Sequence, residues 1–190
     1  MAAMFVSRER EKLENAAIFF IEKTRRCHTM KLMKLLNFLD FEHFRQTGRT
    51  VTGQRYKAWD KGPVPSRLWK EIESGGSIGD AVSVIQETDP ITKKAIKRTL
   101  KPRKAFDRSL FTRRELQIMD RLAEFFVETK GDDMSEFSHM KGLPWRKVYG
   151  KGEGNNEWIP EELAFGSEPI VGERETIDPE EYAYRKTVLG

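Results

Sequence analysis

Apolar residues recur at helical spacing near the start of the chain. Leu13, Ala16, Ala17, Phe20 and Ile21 stand three and four apart, which predicts a helix over 7–26 with one apolar face. Ser7 is its expected N-cap; Arg10 follows three residues later, so there is no capping box. Residues 30–46 are greasier. Leu32, Leu35, Leu36, Phe38 and Leu39 cover most of the helix circumference, the pattern of a central helix buried on several sides. Thr29 is its expected cap and Gly48 its left-handed stop.

The periodicity then changes. Val51, Tyr56, Ala58 and Trp59 sit among turn-formers, which predicts a short strand or extended hairpin over 50–62. Gly62-Pro63-Val64-Pro65 breaks any regular element. Pro65 suits the first turn of a short helix, 66–74, closed by Gly75-Gly76. Alternation at Val82, Val84 and Gln86, the turn-former pair Asp89-Pro90 and a returning run from Ala95 to Leu100 predict a β-hairpin over 81–100. Thr112 with Glu115 has capping-box spacing, and Leu116, Met119, Leu122, Ala123, Phe126 and Val127 continue as a helix. Short helices are expected over 133–140 and 144–149. Residues 150–178, with few large apolar groups, read as a loop that wraps the domain or awaits a partner, and Pro179 starts a last short helix. The expected fold class is α+β: a mainly helical single domain with a small antiparallel sheet or hairpin. The expected division is a domain over 1–150 and an acidic, loop-rich extension over 151–190.

Composition bounds the function. A chain of 190 residues with 38% hydrophobic positions can bury a core without disulfides or metal. The single cysteine, Cys27, excludes an internal disulfide. No run approaches the ~18 apolar residues of a membrane span, and the first residues lack a signal-peptide pattern. A cytoplasmic protein with no membrane partner is expected. The net charge of +4 is mild but unevenly spread. Residues 93–114 carry ten Lys/Arg against one acid, and residues 153–181 carry ten Asp/Glu against one base.

Catalytic chemistry finds little support. A Cys/His pair would join Cys27 to His28, His43 or His139, with no motif to recommend it; a buried thiol is the simpler expectation. No two ligands stand at metal-binding spacing. Gly150-Lys151-Gly152-Glu153-Gly154 lacks the Lys-Ser/Thr end of a phosphate loop. No cofactor, metal or catalytic residue is expected. Two binding surfaces are. Arg55, Tyr56, Trp59, Arg67 and Trp69 lie around the rigid Gly-Pro bend and are candidate anchors for a protein partner, because little entropy is lost on binding. Lys97, Arg98, Lys101 and Arg103 are the candidate patch for nucleic acid or an acidic partner.

Three blocks carry a resemblance. Lys31-Leu32-Met33-Lys34-Leu35-Leu36-Asn37-Phe38 is similar to the KLQKLLYF signature of Panacea-domain, SocA-like antitoxins, with Asn37 where an aromatic is usual. Thr47-Gly48-Arg49 with Tyr56-Lys57-Ala58-Trp59-Asp60-Lys61-Gly62-Pro63-Val64 resembles the family's TG and AWxxGPV block. Ser138-His139 with Pro144-Trp145 resembles its closing block. The resemblance implies a non-catalytic antitoxin of bacterial or phage origin. Such a protein neutralises a cognate toxin encoded beside it by direct contact, in some cases delivering it to an ATP-dependent protease. The motif residues themselves are expected to be mostly scaffold, with His139 and Trp145 clamping two short helices and His139 bonded to a backbone group.

Overall fold

The computed structural model describes residues 8–92, 95–140, 142–172 and 174–189, the side chains of 95–97 and 189 excepted. Ser7 therefore lies outside the described residues. Helix α1 (Glu9–Lys23) leads to α2 (Thr29–Thr47), then strands β1 (Tyr56–Trp59) and β2 (Gly62–Pro65) and helix α3 (Ser66–Gly75). Strands β3 (Ser77–Ile78), β4 (Val82–Thr88) and β5 (Ala95–Pro102) follow. The chain closes with α4 (Arg113–Phe125), α5 (Gly131–Ser138), α6 (Pro144–Tyr149), β6 (Trp158–Ile159) and α7 (Pro179–Leu189). The class is the α+β, mainly helical one expected. The small sheet is two three-stranded antiparallel sheets, ordered β2-β1-β6 and β3-β4-β5.

Helix α2 is the axis of the molecule. Every residue from Lys31 to Arg45 is buried. Its leucines, with Met33 and Phe38, join α1, α4 and the β4–β5 hairpin in the main core. Phe41 and Phe44 enter a second cluster with Tyr56, Ala58, Trp145, Ile159 and Ala164. A helix apolar nearly all round has nowhere to put its charged residues except inside, and each then needs a partner. Lys31 donates to the carbonyls of Arg25 (2.9 Å) and Val127 (3.2 Å). Asp40 accepts from the backbone N–H groups of Val51 and Thr52, both at 2.8 Å, and from the hydroxyls of Thr52 (2.5 Å) and Tyr56 (2.7 Å). Glu42 pairs with Arg45 at 2.6 Å and also accepts from the Ile170 N–H at 2.6 Å.

The cap of α4 is as its spacing predicts. Thr112 Oγ1 accepts from the Glu115 N–H, and Glu115 accepts from the Thr112 N–H at 2.7 Å. Thr29 does not cap α2: it is the first helical residue, and its buried hydroxyl has no hydrogen-bond partner among the described residues. Gly48 does end α2, at φ 73°, and a Cβ there would stand 2.7 Å from the Tyr182 ring of α7. The left-handed turn and the close approach both demand glycine.

Residues 158–172 and 174–182 run across the outside of α2. Ile159 pairs with Tyr56 in the first sheet. The Ile177 N–H donates to Arg45 O at 2.9 Å, and Arg45 Nη1 donates to Glu175 O. Tyr182 packs edge-on against Phe44 and Phe165.

Candidate interaction surface

The three motif blocks converge beneath the β1–β2 hairpin. Lys34, on α2, reaches up to donate to Lys61 O in the hairpin turn at 2.6 Å. Gly62, at φ 113°, makes room for it: a Cβ would fall 2.5 Å from Lys34 Nζ and 2.6 Å from Ser138 Oγ. Burial, with no acidic partner among the described residues, pushes the Lys34 ammonium down to about 8. From the other side, Trp145 Nε1 donates to Trp59 O at 2.8 Å. The His139 ring stacks on Trp145 with centroids 3.9 Å apart, and Tyr149 stacks at 4.5 Å. His139 does clamp through that stack, but the expected backbone bond is absent among the described residues, and its Nε2 is buried without a partner. Burial, with Lys34 and Arg146 nearby, lowers the pKa of His139, so the ring is neutral at pH 7. Asp40 fixes the chain entering β1, and burial drives its carboxyl up to about 6 against the pull of its four donors. The hairpin is thus bolted to α2 and α6 at both ends.

This anchoring presents an aromatic band on the outer face. Strand alternation turns Tyr56 and Ala58 inward and leaves Lys57 and Trp59 half-exposed. Lys57 stands opposite Trp158 of β6. The Arg55 guanidinium lies 4.5 Å from the Trp158 ring centroid and Lys57 Nζ 4.9 Å, so one exposed indole carries two cations. Asn156 Oδ1 accepts from both Lys57 Nζ (3.1 Å) and Trp59 Nε1 (3.2 Å). Trp59 meets Trp69 of α3 edge-on at 5.7 Å, and Arg98 of β5 lies 5.8 Å from the Trp69 ring. Three indoles and three cations form one continuous strip, with neither Arg55 nor Lys57 paired to an acid among the described residues.

Of the expected anchors, the structure brings together Arg55, Trp59 and Trp69. Tyr56 is a correction: its side chain is fully buried, tied to Asp40 and packed on Phe41, so it offers a partner no surface. Arg67 is exposed but stands two residues from Trp69 on α3, hence nearly on the opposite side of the helix. The expected basic patch does not form one face either. Arg98 shares its side of β5 with the buried Leu100, lies against Trp69 and pairs with Glu73 and Gln86, whereas Lys101 points to the other side. Arg103 is exposed, and the side chain of Lys97 lies outside the described residues. Lys57, Asn156 and Trp158 were not legible as site residues, because their meeting depends on the non-local pairing of β1 with β6.

Catalytic candidates find no support in this geometry. Cys27 is buried in the main core and its thiol is pushed up to about 11, so the thiolate needed for attack is absent at pH 7. His28 is exposed and sits 3.3 Å from Arg98 O. Among the described residues no group of three or more His, Cys, Asp or Glu is placed to hold a metal ion. No described helix is long and apolar enough to cross a membrane.

A family model described as "Antitoxin SocA-like, Panacea domain" matches residues 32–146, more than half of the chain. The match spans α2, both sheets except β6, and the helices through the start of α6. No curated protein and no solved structure matches the chain.

Proposed function

The chain belongs to the SocA-like antitoxin, Panacea-domain family, and from that premise we propose that it neutralises a cognate toxin by direct contact through the tryptophan strip formed by β1, α3 and β6. The observation that carries the reading is the strip itself: part-exposed Trp59, on a hairpin anchored from α2 and α6, flanked by Trp69 of α3 and Trp158 of β6. Indole and guanidinium groups on fixed backbone are the side chains that dominate binding energy, because little rotamer freedom is lost when they are covered. A buried, protonated Cys27 and the lack of a metal cluster among the described residues favour binding over catalysis. The nucleic-acid reading has less support, since Arg98 is committed to Glu73, Gln86 and Trp69 rather than to a groove.

The test is co-expression with the product of the neighbouring reading frame. The unaltered chain should restore growth and co-purify with that product. Trp59→Ala with Trp158→Ala should lose both while the chain still melts cooperatively. Growth restored equally by the double variant would remove the strip from the reading; a harmless neighbour with nothing co-purifying would remove the antitoxin role.

A further inference from the structure

A second charged feature lies where α4 meets the end of α2 and is used by nothing described so far. Helix α4, the end of α2 and the extended segment around Glu175 border a polar cleft of about 320 Å³, lined by Arg113, Arg114 and Arg121, with Gln46 and Gln117 between them. Arg113, Gln117 and Arg121 follow at four-residue intervals, so they form one stripe along α4, its ends about 12 Å apart by helical rise. Among the described residues one carboxylate lines the cleft, Glu175, and it is held by Arg114 Nη1 at 2.7 Å, with Gln46 Oε1 accepting from the same nitrogen at 2.9 Å. Arg113 and Arg121 have neither an ion pair nor a hydrogen bond among the described residues. Asp120 is close by on α4 but does not line the cleft.

We propose that this cleft binds a ligand carrying two or more neighbouring phosphates, for which the Glu175 carboxylate is an internal stand-in. Guanidinium groups match phosphate oxygens in pairs, and two on one stripe with Arg114 beside them fit a row of phosphates better than a single anion. The two glutamines supply donors for oxygens that the arginines leave unbonded. Glu175 belongs to the segment that crosses α2, where its carbonyl accepts from Arg45. A bound polyphosphate competes with the Glu175 carboxylate for Arg114, so binding releases one of the contacts that hold that segment.

Isothermal titration of the full chain with sodium tripolyphosphate at low salt reads the site. Saturable binding is expected. Arg113→Gln with Arg121→Gln should weaken it about tenfold or more, since two charge-assisted bonds are lost. Glu175→Gln should tighten it, because the competing carboxylate is gone while the shape is kept. Lys101→Gln with Arg103→Gln, outside the cleft, should leave it unchanged. A short single-stranded RNA titrated in parallel separates the sources: binding of RNA alone, lost with Arg113 and Arg121, assigns the phosphates to a nucleic-acid backbone. No binding of either probe, weakening that is equal in all variants (an adventitious ion only), or a Glu175→Gln chain that fails to bind more tightly overturns the proposal.

Discussion

Lys34 offers the sharpest test of how the hairpin is held. Its ammonium is fully buried, donates to Lys61 O at 2.6 Å and has no acidic partner among the described residues. Burial lowers its pKa from 10.5 to about 8. Between those two values the unfolded chain holds a proton that the folded chain has released, so stability must rise with pH across this window. Worked through the linkage relation, the group adds about 2 kcal/mol of stability on going from pH 7 to pH 9.5. Lys34→Met keeps the length of the side chain and removes the titration. At pH 7 it relieves a buried charge worth about 3 kcal/mol but strands the Lys61 carbonyl at about 1–3 kcal/mol, so the two proteins should be near parity. At pH 9.5 the unaltered protein should be the more stable by about 2 kcal/mol. Urea melts of both proteins at the two pH values, taken as a difference, cancel the other lysines and the tyrosines. Parallel profiles within about 0.5 kcal/mol would refute the account of Lys34 as an unpaired buried cation.

Other perturbations test neighbouring parts. Trp145→Phe keeps the stack on His139 but strands Trp59 O; it should cost about 1–3 kcal/mol in thermal melts and weaken the proposed toxin binding without touching the strip's own side chains. Asp40→Ala removes the acceptor for four donors and should cost at least about 3–5 kcal/mol, read as loss of a cooperative urea transition. Asp40→Asn should flatten the pH dependence between about pH 4 and 6. There the folded carboxyl, raised to about 6, holds a proton that the unfolded one has released, so this group favours folding as pH falls. Gly48→Ala adds a side chain at positive φ against Tyr182 and should cost about 1–2 kcal/mol, with earlier cleavage around α7 in limited proteolysis.

What was legible in the sequence was local. The circumference of apolar residues in α2, the Thr112–Glu115 cap, the Asp89-Pro90 turn and Pro144 at the start of α6 each report on neighbours a few residues away, and each element is where its pattern placed it. Tyr56 was misread as a surface anchor because period-2 alternation does not say which of two faces is inward; the fully buried Asp40 decides it. Arg98 was misread as part of a basic face because its Glu73 partner lies on α3, 25 positions away. Lys34 carried a signal that was passed over: a polar residue on a helix apolar all round has to be buried somewhere. Trp158 carried none, since only the pairing of β6 with β1 connects it to Lys57.

The charges inside α2 also have a bearing on how variation can be borne. Lys31, Lys34, Asp40, Glu42 and Arg45 each meet a partner outside α2, on four neighbouring segments. Shifting the helix by a single residue would turn it by about 100° and leave all of them facing hydrocarbon. Such a helix behaves like a key cut for one lock: it has a single seating. Substitutions on the outward strands and loops can then change what the molecule recognises without changing where its framework settles.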